Sequence, residues 1–396
     1  MKDRVKQKGA VSIFIVIFCA LFVTIITVSF VGIMVRNQLQ STNADLAESA
    51  YDSALAGVED AKRLMLIYRR CVSTSDTTSQ PCVRARDGMT LENVGSRWTS
   101  CNSINKGLDG VNTNAERKIQ RSAGSSGDDL LDQAYTCVKI NYNTTNFEKS
   151  VENGQSDMIP LESGGTAFSK VRISWFKRDA GSTNALGYYG TPPLLPTQAA
   201  WNSPAGDQPP IIRAQLIQVG PTFNLDQFDG GTVTNSNTNT TFLYPAAAGS
   251  NNVTISAIDN RSVSSPKAPH QVTCSNGAYT GGAYACSVIL TLPAPVTGAR
   301  AAAYLRIGSF YAATDYKIEL LDGSDGVVPF VGVQPEVDST GRANDLFRRV
   351  GARVEFISSF DYPEAAIETN GNLCKDFGVT DDANDFNAIN TPLCQP

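Results

Sequence analysis

Nine cysteines are the residues of this chain whose number and placement specify chemistry most directly. Cys19 sits inside an apolar run, and Cys71, Cys82, Cys101, Cys137, Cys274, Cys286, Cys374 and Cys394 all follow it. No Cys-x-x-Cys spacing occurs and His270 is the single histidine, so there is almost no zinc-ligand set beyond cysteine itself. An even number of cysteines on one side of an apolar segment points to disulfides in an oxidising compartment. Eight cysteines admit about a hundred connectivities. Nearness in sequence favours Cys71–Cys82, Cys101–Cys137, Cys274–Cys286 and Cys374–Cys394. Reduced, buried thiols are the alternative.

Other reactive constellations are scarce. His270 lies in the turn-like stretch Lys267-Ala268-Pro269-His270 and reads as a surface histidine rather than a catalytic base. There is no Gly-x-Ser-x-Gly elbow, phosphate-binding loop, dinucleotide fingerprint or His-Glu-x-x-His. Oxygen ligands cluster at Asn224 to Gly230, at Asp322 to Gly326 and at Asp381 to Asp385, none with EF-hand spacing. Turn chemistry with solvated acids is the favoured reading. Asp226, Asp229, Asp381, Asp382 and Asp385 are calcium candidates only as the alternative, and no other cofactor is expected. A non-enzymatic role follows, with an extracytoplasmic enzyme built on paired carboxylates as the competing class.

The elements that position these residues begin with a membrane-type segment. Net charge is −5 and charged residues make up 18%, so there is no general electrostatic case for a nucleic-acid partner. Lys2, Arg4, Lys6 and Lys8 outweigh Asp3, and Ala10 to Val35 contains no Asp, Glu, Lys, Arg, Pro or His. As a helix that run reaches roughly 39 Å, enough to cross a hydrocarbon core of about 30 Å. The basic cluster places the N-terminus in the cytoplasm and the bulk of the chain outside, in a single-pass cytoplasmic (inner) membrane protein. A cleaved secretory signal would have a shorter apolar region, about 7–15 residues, and a small-x-small site, which Val35-Arg36-Asn37 does not offer. Ser12, Thr24, Thr27, Ser29 and Gly32 either mark a helix-packing face or are residues common in any spanning helix.

The helical pattern continues without proline until Pro81. Leu39, Leu46, Ala50, Ala54, Leu55, Val58, Ala61, Leu64, Met65 and Tyr68 recur at spacings of three, four and seven. Asp45, Glu48 and Asp52 come early and Arg63, Arg69 and Arg70 late, as the helix dipole favours. The apolar stripe requires cover, from the chain's own β domain or from neighbouring subunits.

Here a family resemblance appears. Lys8-Gly9-Ala10-Val11-Ser12 ahead of a long apolar helix resembles the prepilin leader of type IV pilin-like proteins. Ala47 to Glu59 resembles the PilX-type N-terminal region of minor pilins and GspK-like secretion proteins. The resemblance covers about the first 65 residues, roughly a sixth of the chain. It implies cleavage between Gly9 and Ala10 by a prepilin peptidase, and packing of the helix among other pilin-like subunits. Phe14, Leu39, Leu46, Ala50, Ala54, Val58 and Ala61 are the helix-packing candidates. Phe14 stands at the fifth residue after the cut, where most major pilins carry glutamate, so the resemblance implies a minor or tip subunit. The expected function is a minor pilin-like structural subunit of a type IV pilus or pseudopilus, displaying its domain for assembly, adhesion or secretion toward an unknown surface ligand. A single-pass anchored surface binding protein is the alternative.

The expected organisation is a leader over 1–9, a transmembrane half-helix over 10–35, an exposed amphipathic half over 36–70, a Cys-containing irregular and helical region over 71–135, and a β-rich extracytoplasmic domain over 136–396. Short helices are predicted over Ala115 to Ser122, capped by Asn112 or Thr113, and over Asp128 to Tyr135. Alternation predicts strands at Cys137 to Tyr142, Val171 to Trp175, Ile212 to Leu216, Asn252 to Ser256, Ser287 to Leu292, Ala303 to Ile307, Tyr316 to Leu320, Val331 to Val337 and Arg353 to Ile357. Helical pattern between them is thin, so the fold class is α+β with a mainly antiparallel sheet. Tyr188 to Pro210 reads as a long loop whose Tyr188, Tyr189 and Trp201 form an adhesive patch or pack on the sheet. Gly230 to Asn252 is a Thr/Asn-rich interruption, with a possible subdivision near 260–270.

Overall fold

The computed structural model describes residues 9–119, 132–179, 181–190, 197–201, 206–218, 238–254, 269–297 and 303–356. The first element is one unbroken helix, α1 (Gly9–Ser73). It follows the proline-free pattern and stops where Ser75 takes a positive φ of 55°. A second helix, α2 (Gln80–Gly88), starts with Pro81 in its first turn and is tied back to the end of α1 by the Cys71–Cys82 disulfide. A single π-turn over Asn105–Asp109 ends on Gly110 at φ 73°.

The β part forms three sheets. The first joins β1 (Arg117–Lys118), β2 (Gln133–Thr144), β14 (Phe330–Ala343) and β15 (Leu346–Arg353) in that order, all antiparallel. The second is built on β5 (Phe168–Lys177), flanked by β10 (Tyr284–Val296) and β12 (Thr314–Leu321). Its outer members are β3 (Phe147–Val151), β8 (Asn252–Thr254) and β13 (Val327–Val328). The third runs β4 (Ser156–Pro160), β11 (Ala303–Phe310), β6 (Ile211–Gln218), β7 (Thr238–Ala246) and β9 (His270–Thr273). Only β8–β10 and β7–β9 pair in parallel among the described strands. Helices α3 (Gln198–Trp201) and α4 (Asn276–Thr280) are single turns.

Two cores result. One lies between the second and third sheets, where Ile173, Trp175, Val288, Leu290, Leu305 and Ile318 are buried. The other lies between α1 and the first sheet, with Leu64, Met65, Ile104, Val138, Ile140 and Val337. Strand β14 belongs to both: Phe330 and Val333 enter the first core and Val337 the second. Its register against β2 breaks between Val331 and Glu336, a bulge that turns the strand from one core to the other. Gln334 sits in that bulge, 2% exposed, and all its valences are met: its amide donates to Glu148 O and Glu355, and its oxygen accepts from Glu148 N and Arg353.

Several local expectations are corrected. No helix forms over the described part of 115–122, because Arg117 and Lys118 pair as β1 with Tyr135 and Ala134. Gln133 to Tyr135 is likewise strand, the start of β2 rather than a helix end. Arg353 closes β15 instead of opening a strand. The Thr/Asn-rich stretch after 230 contains β7, whose Leu243 and Tyr244 are buried. His270 opens β9, and its Nε2 meets Ser250 O at 2.8 Å. On either side of 260–270, β9 pairs with β7, and β10 with β5.

Candidate functional site: the long helix and its seat

From Ile13 to Asp45 every described side chain of α1 is exposed, including Phe14 at 75% and Leu39 at 59%. The hydroxyls of Thr24 and Thr27 donate to the backbone carbonyls of Leu21 and Val23, so this stretch presents no unpaired hydroxyl at those positions. The helix is long and apolar enough to cross a membrane, with a mean hydropathy of 2.9 over its most apolar stretch and none of that stretch covered by the protein. Gly9 and Ala10 form its first turn, and residues 1–8 lie outside the described residues.

Beyond Asp45 the helix is seated. Leu46 is half-buried, and Ala50, Ser53, Ala54, Gly57, Val58, Ala61, Leu64 and Met65 form a buried stripe against β2, β14 and β15. Of the sequence candidates, Ala50, Ala54, Val58 and Ala61 therefore meet the chain's own sheet, whereas Phe14 and Leu39 are exposed. The upper stripe is made of small residues, and the reason is steric. A Cβ at Gly57 would stand 2.3 Å from Ser339 Oγ and 2.9 Å from Val138. A Cβ at Gly341 would stand 2.2 Å from both Ala50 O and Ala54 N. Helix and strand backbones thus approach as closely as glycine permits. Burying Leu64 and Met65 lower down contributes about 1.5–3 kcal/mol each.

Polar groups fix the rotation of α1 on this seat. Tyr135 OH donates to Asp60 Oδ2 at 2.6 Å, and Arg117 bridges Asp60 and Asp109. Burial, reinforced by that bond to Asp60, pushes the Tyr135 hydroxyl well above its usual pKa. Tyr68 packs edge-on to Tyr142, whose hydroxyl burial pushes up to about 12.

The structure brings three cysteine pairs together as disulfides: Cys71–Cys82, Cys101–Cys137 and Cys274–Cys286. Cys374 and Cys394 lie outside the described residues, as do Asp226, Asp229, Asp381, Asp382 and Asp385. Asp322 behaves as turn chemistry, its Oδ1 accepting from Ser324 N and Gly326 N, while Asp325 pairs with Lys170. Trp201 is 1% exposed, stacked on Tyr311 at 4.6 Å and flanked by Tyr189 and Tyr244. Tyr188 donates to Cys274 O. Of the two readings of Tyr188, Tyr189 and Trp201, packing on the sheet is the one that these described residues follow, in a small aromatic core.

A cleft of about 540 Å³ opens at one end of the sandwich, lined among others by Glu152, Lys177, Asp179, Asp207, Tyr279 and Asp315. Asp207 is fully engaged: Ser182, Tyr279 and Asn184 all donate to it and hold its carboxyl below the usual range. That carboxylate ties Ser182 and Asn184 to Tyr279 of α4. The chain matches no protein-family model, no curated protein and no solved structure.

Sequence reasoning left the cover of the stripe open between the chain's own β domain and neighbouring subunits; the sheet provides it from Ala50 to Met65, and the contact glycines Gly57 and Gly341 are what that reasoning did not name. Gly341 inside a strand pattern was the available signal, because an interior strand glycine marks a close backbone approach.

Proposed function

We propose that this chain is a non-enzymatic minor pilin-like subunit of a type IV pilus or related pseudopilus. The supporting observation is the division of α1: an apolar half wholly uncovered, continuous with a half seated on an antiparallel sheet. In this reading the uncovered half lies in the cytoplasmic membrane before assembly, N-terminus inside, and against other subunits' helices afterwards. Lipid and a helical bundle satisfy the same requirement, apolar cover for a helix whose backbone is already bonded. The disulfide-tied domain is displayed outside for assembly, adhesion or secretion. Prepilin peptidase is the processing partner, acting between Gly9 and Ala10.

A second reading, in which α1 is a permanent single-pass anchor and the domain a surface binding protein, is supported by the same uncovered apolar half, since a lone spanning helix needs no cover but lipid. N-terminal sequencing of the mature protein separates the two. A start at Ala10, abolished by Gly9→Val, supports the fibre reading; an intact Met1 in the membrane fraction overturns it in favour of the anchor.

A further inference from the structure

The first sheet has a second face, turned away from α1. Along β14, Val337, Ser339 and Gly341 serve the helix seat, so the alternation sends Glu336, Asp338 and Thr340 to the outer side. Their cross-strand partners on β15, Arg353, Gly351 and Arg349, share that side. A groove of about 550 Å³ runs here, lined by Trp98, Glu336, Asp338, Arg349, Gly351 and Arg353. The volume falls within the range of small-molecule sites, about 300–1,000 Å³.

We propose that this groove binds a neutral sugar, with Trp98 as the stacking wall and Gly351 as the floor. Four features select that ligand class. First, Trp98 is held ready. Its backbone N–H donates to Ser96 Oγ, its carbonyl accepts from Glu92 N, and Thr99 N donates to Ile140 O of β2. Lys139–Glu92 and the Cys101–Cys137 disulfide pin the same segment to the sheet. The indole N–H meets no acceptor among the described residues, so a donor remains available beside an aromatic face.

Second, the charges are balanced. Arg349 holds Asp338 through two bonds, and Arg353 Nη2 lies 2.8 Å from Glu336 Oε1. Two carboxylates and two guanidinium groups cancel, and an ionic ligand would have to displace a formed pair. Third, donors and acceptors remain for a ligand: Arg353 is committed to Asn146, Gln334 and Glu336, but Arg349 bonds only through Nε and Nη2, which leaves its Nη1 group, and the carboxylates of Glu336 and Asp338 keep lone pairs. A hydroxyl both donates and accepts, so a polyhydroxylated ring uses both kinds at once. Fourth, a Cβ at Gly351 would meet nothing within 4 Å, so the floor beside Trp98 is open to a flat ring. An apolar ligand would leave four charged groups facing it without water. The groove belongs to the folded domain, and its test does not depend on whether α1 enters a fibre.

The test uses the full chain in a detergent without a sugar head group. Maltotriose, cellotriose and chitotriose are titrated to about 10 mM, tenfold above a Kd of about 1 mM, and followed by fluorescence and calorimetry. Trp175 and Trp201 are buried, so a fluorescence change reports Trp98. The expected result is saturable binding of at least one trisaccharide, abolished in Trp98→Ala. In Gly351→Val, which fills the floor without removing a polar group, binding weakens more than tenfold at unchanged Tm. No saturable response from any of the three overturns the proposal. So does binding that survives both substitutions.

Discussion

Gly57 of α1 and Ser339 of β14 touch so closely that no side chain fits between them: a Cβ on the glycine would lie 2.3 Å from the serine Oγ. Ser339 is fully buried and its hydroxyl has no hydrogen-bond partner. The pair therefore exchanges polar satisfaction for proximity, and proximity is what lets β14 lie directly under the helix.

Gly57→Ala follows as the first test. Helix propensity favours alanine by about 1 kcal/mol, but overpacking a tight core costs about 1–3 kcal/mol. Because the contact is buried and flanked by Val138 at 2.9 Å, the clash wins and Tm falls. Ser339→Ala alone is neutral or stabilising, since it removes an unsatisfied buried hydroxyl. Combined with Gly57→Ala it recovers part of the loss. Strictly additive values in this thermal double-mutant cycle would refute the contact.

The alkaline limb of stability is set by buried tyrosines. Burial pushes Tyr142, Tyr279 and Tyr284 from 10.0 up to about 12. Their folded pKa exceeds the unfolded one, so the stability they contribute is complete below pH 10.0 and is lost as pH rises toward 12. Chemical denaturation across that interval should give midpoints that fall with pH, and phenolate absorbance should appear late in the folded protein. Phenolate titrating near 10 with the fold intact would contradict the burial.

Asp207 sets an acid limb of opposite sign. Hydrogen bonds from Ser182, Tyr279 and Asn184 lower its pKa, so its contribution is present above the unfolded value of 3.8 and disappears as pH falls below it. Tyr279→Phe removes one donor and should shift acid unfolding to higher pH. An unchanged acid midpoint in that variant would remove Asp207 from the account.

Removing the Cys101–Cys137 link by a double Cys→Ala change should cost about 2–5 kcal/mol. It should also increase acrylamide quenching of Trp98, since the linked segment carries that side chain. Loss of stability without any change in quenching would mean that the backbone bonds of Thr99 suffice to hold it.

A charge in the apolar half separates anchoring from folding. Ile25→Asp adds about 2.5–3.5 kcal/mol to insertion at a position 64% exposed, so it should deplete the membrane fraction while leaving the disulfides of the domain formed. Full retention in the membrane would argue that α1 is not the anchor.

The helix was legible because its signals are local: an uncharged run, then a stripe at helical spacing with no proline. Antiparallel strands such as β5 and β12 were legible for the same reason, through alternation that one buried face imposes. Strand β7 was hidden because its first half is Thr and Asn, which reads as loop in sequence, and its buried Leu243 and Tyr244 are adjacent rather than alternating. Strand β1 was read as helix because two residues of pairing with β2 outweigh a weak local preference. The seat and the groove are relationships across the fold. Gly57 meets Ser339, and Trp98 lines one groove with Gly351, across long stretches of chain, and no local pattern encodes such distances. Nearness in sequence pointed to the cysteine pairs now seen at 71–82, 101–137 and 274–286.

The bulge at Gln334, which hands β14 from one core to the other, also decides how the molecule carries tension. A pull on α1 enters the first sheet through β2, β14 and β15 and leaves for the sandwich along β14 and the β2–β3 turn. Because β2 and β14 pair antiparallel along most of their length, a force that slid one strand past the other would load their ladder bonds together, in shear. Gln334 and Arg353 cross-tie that junction through Glu148 and Asn146.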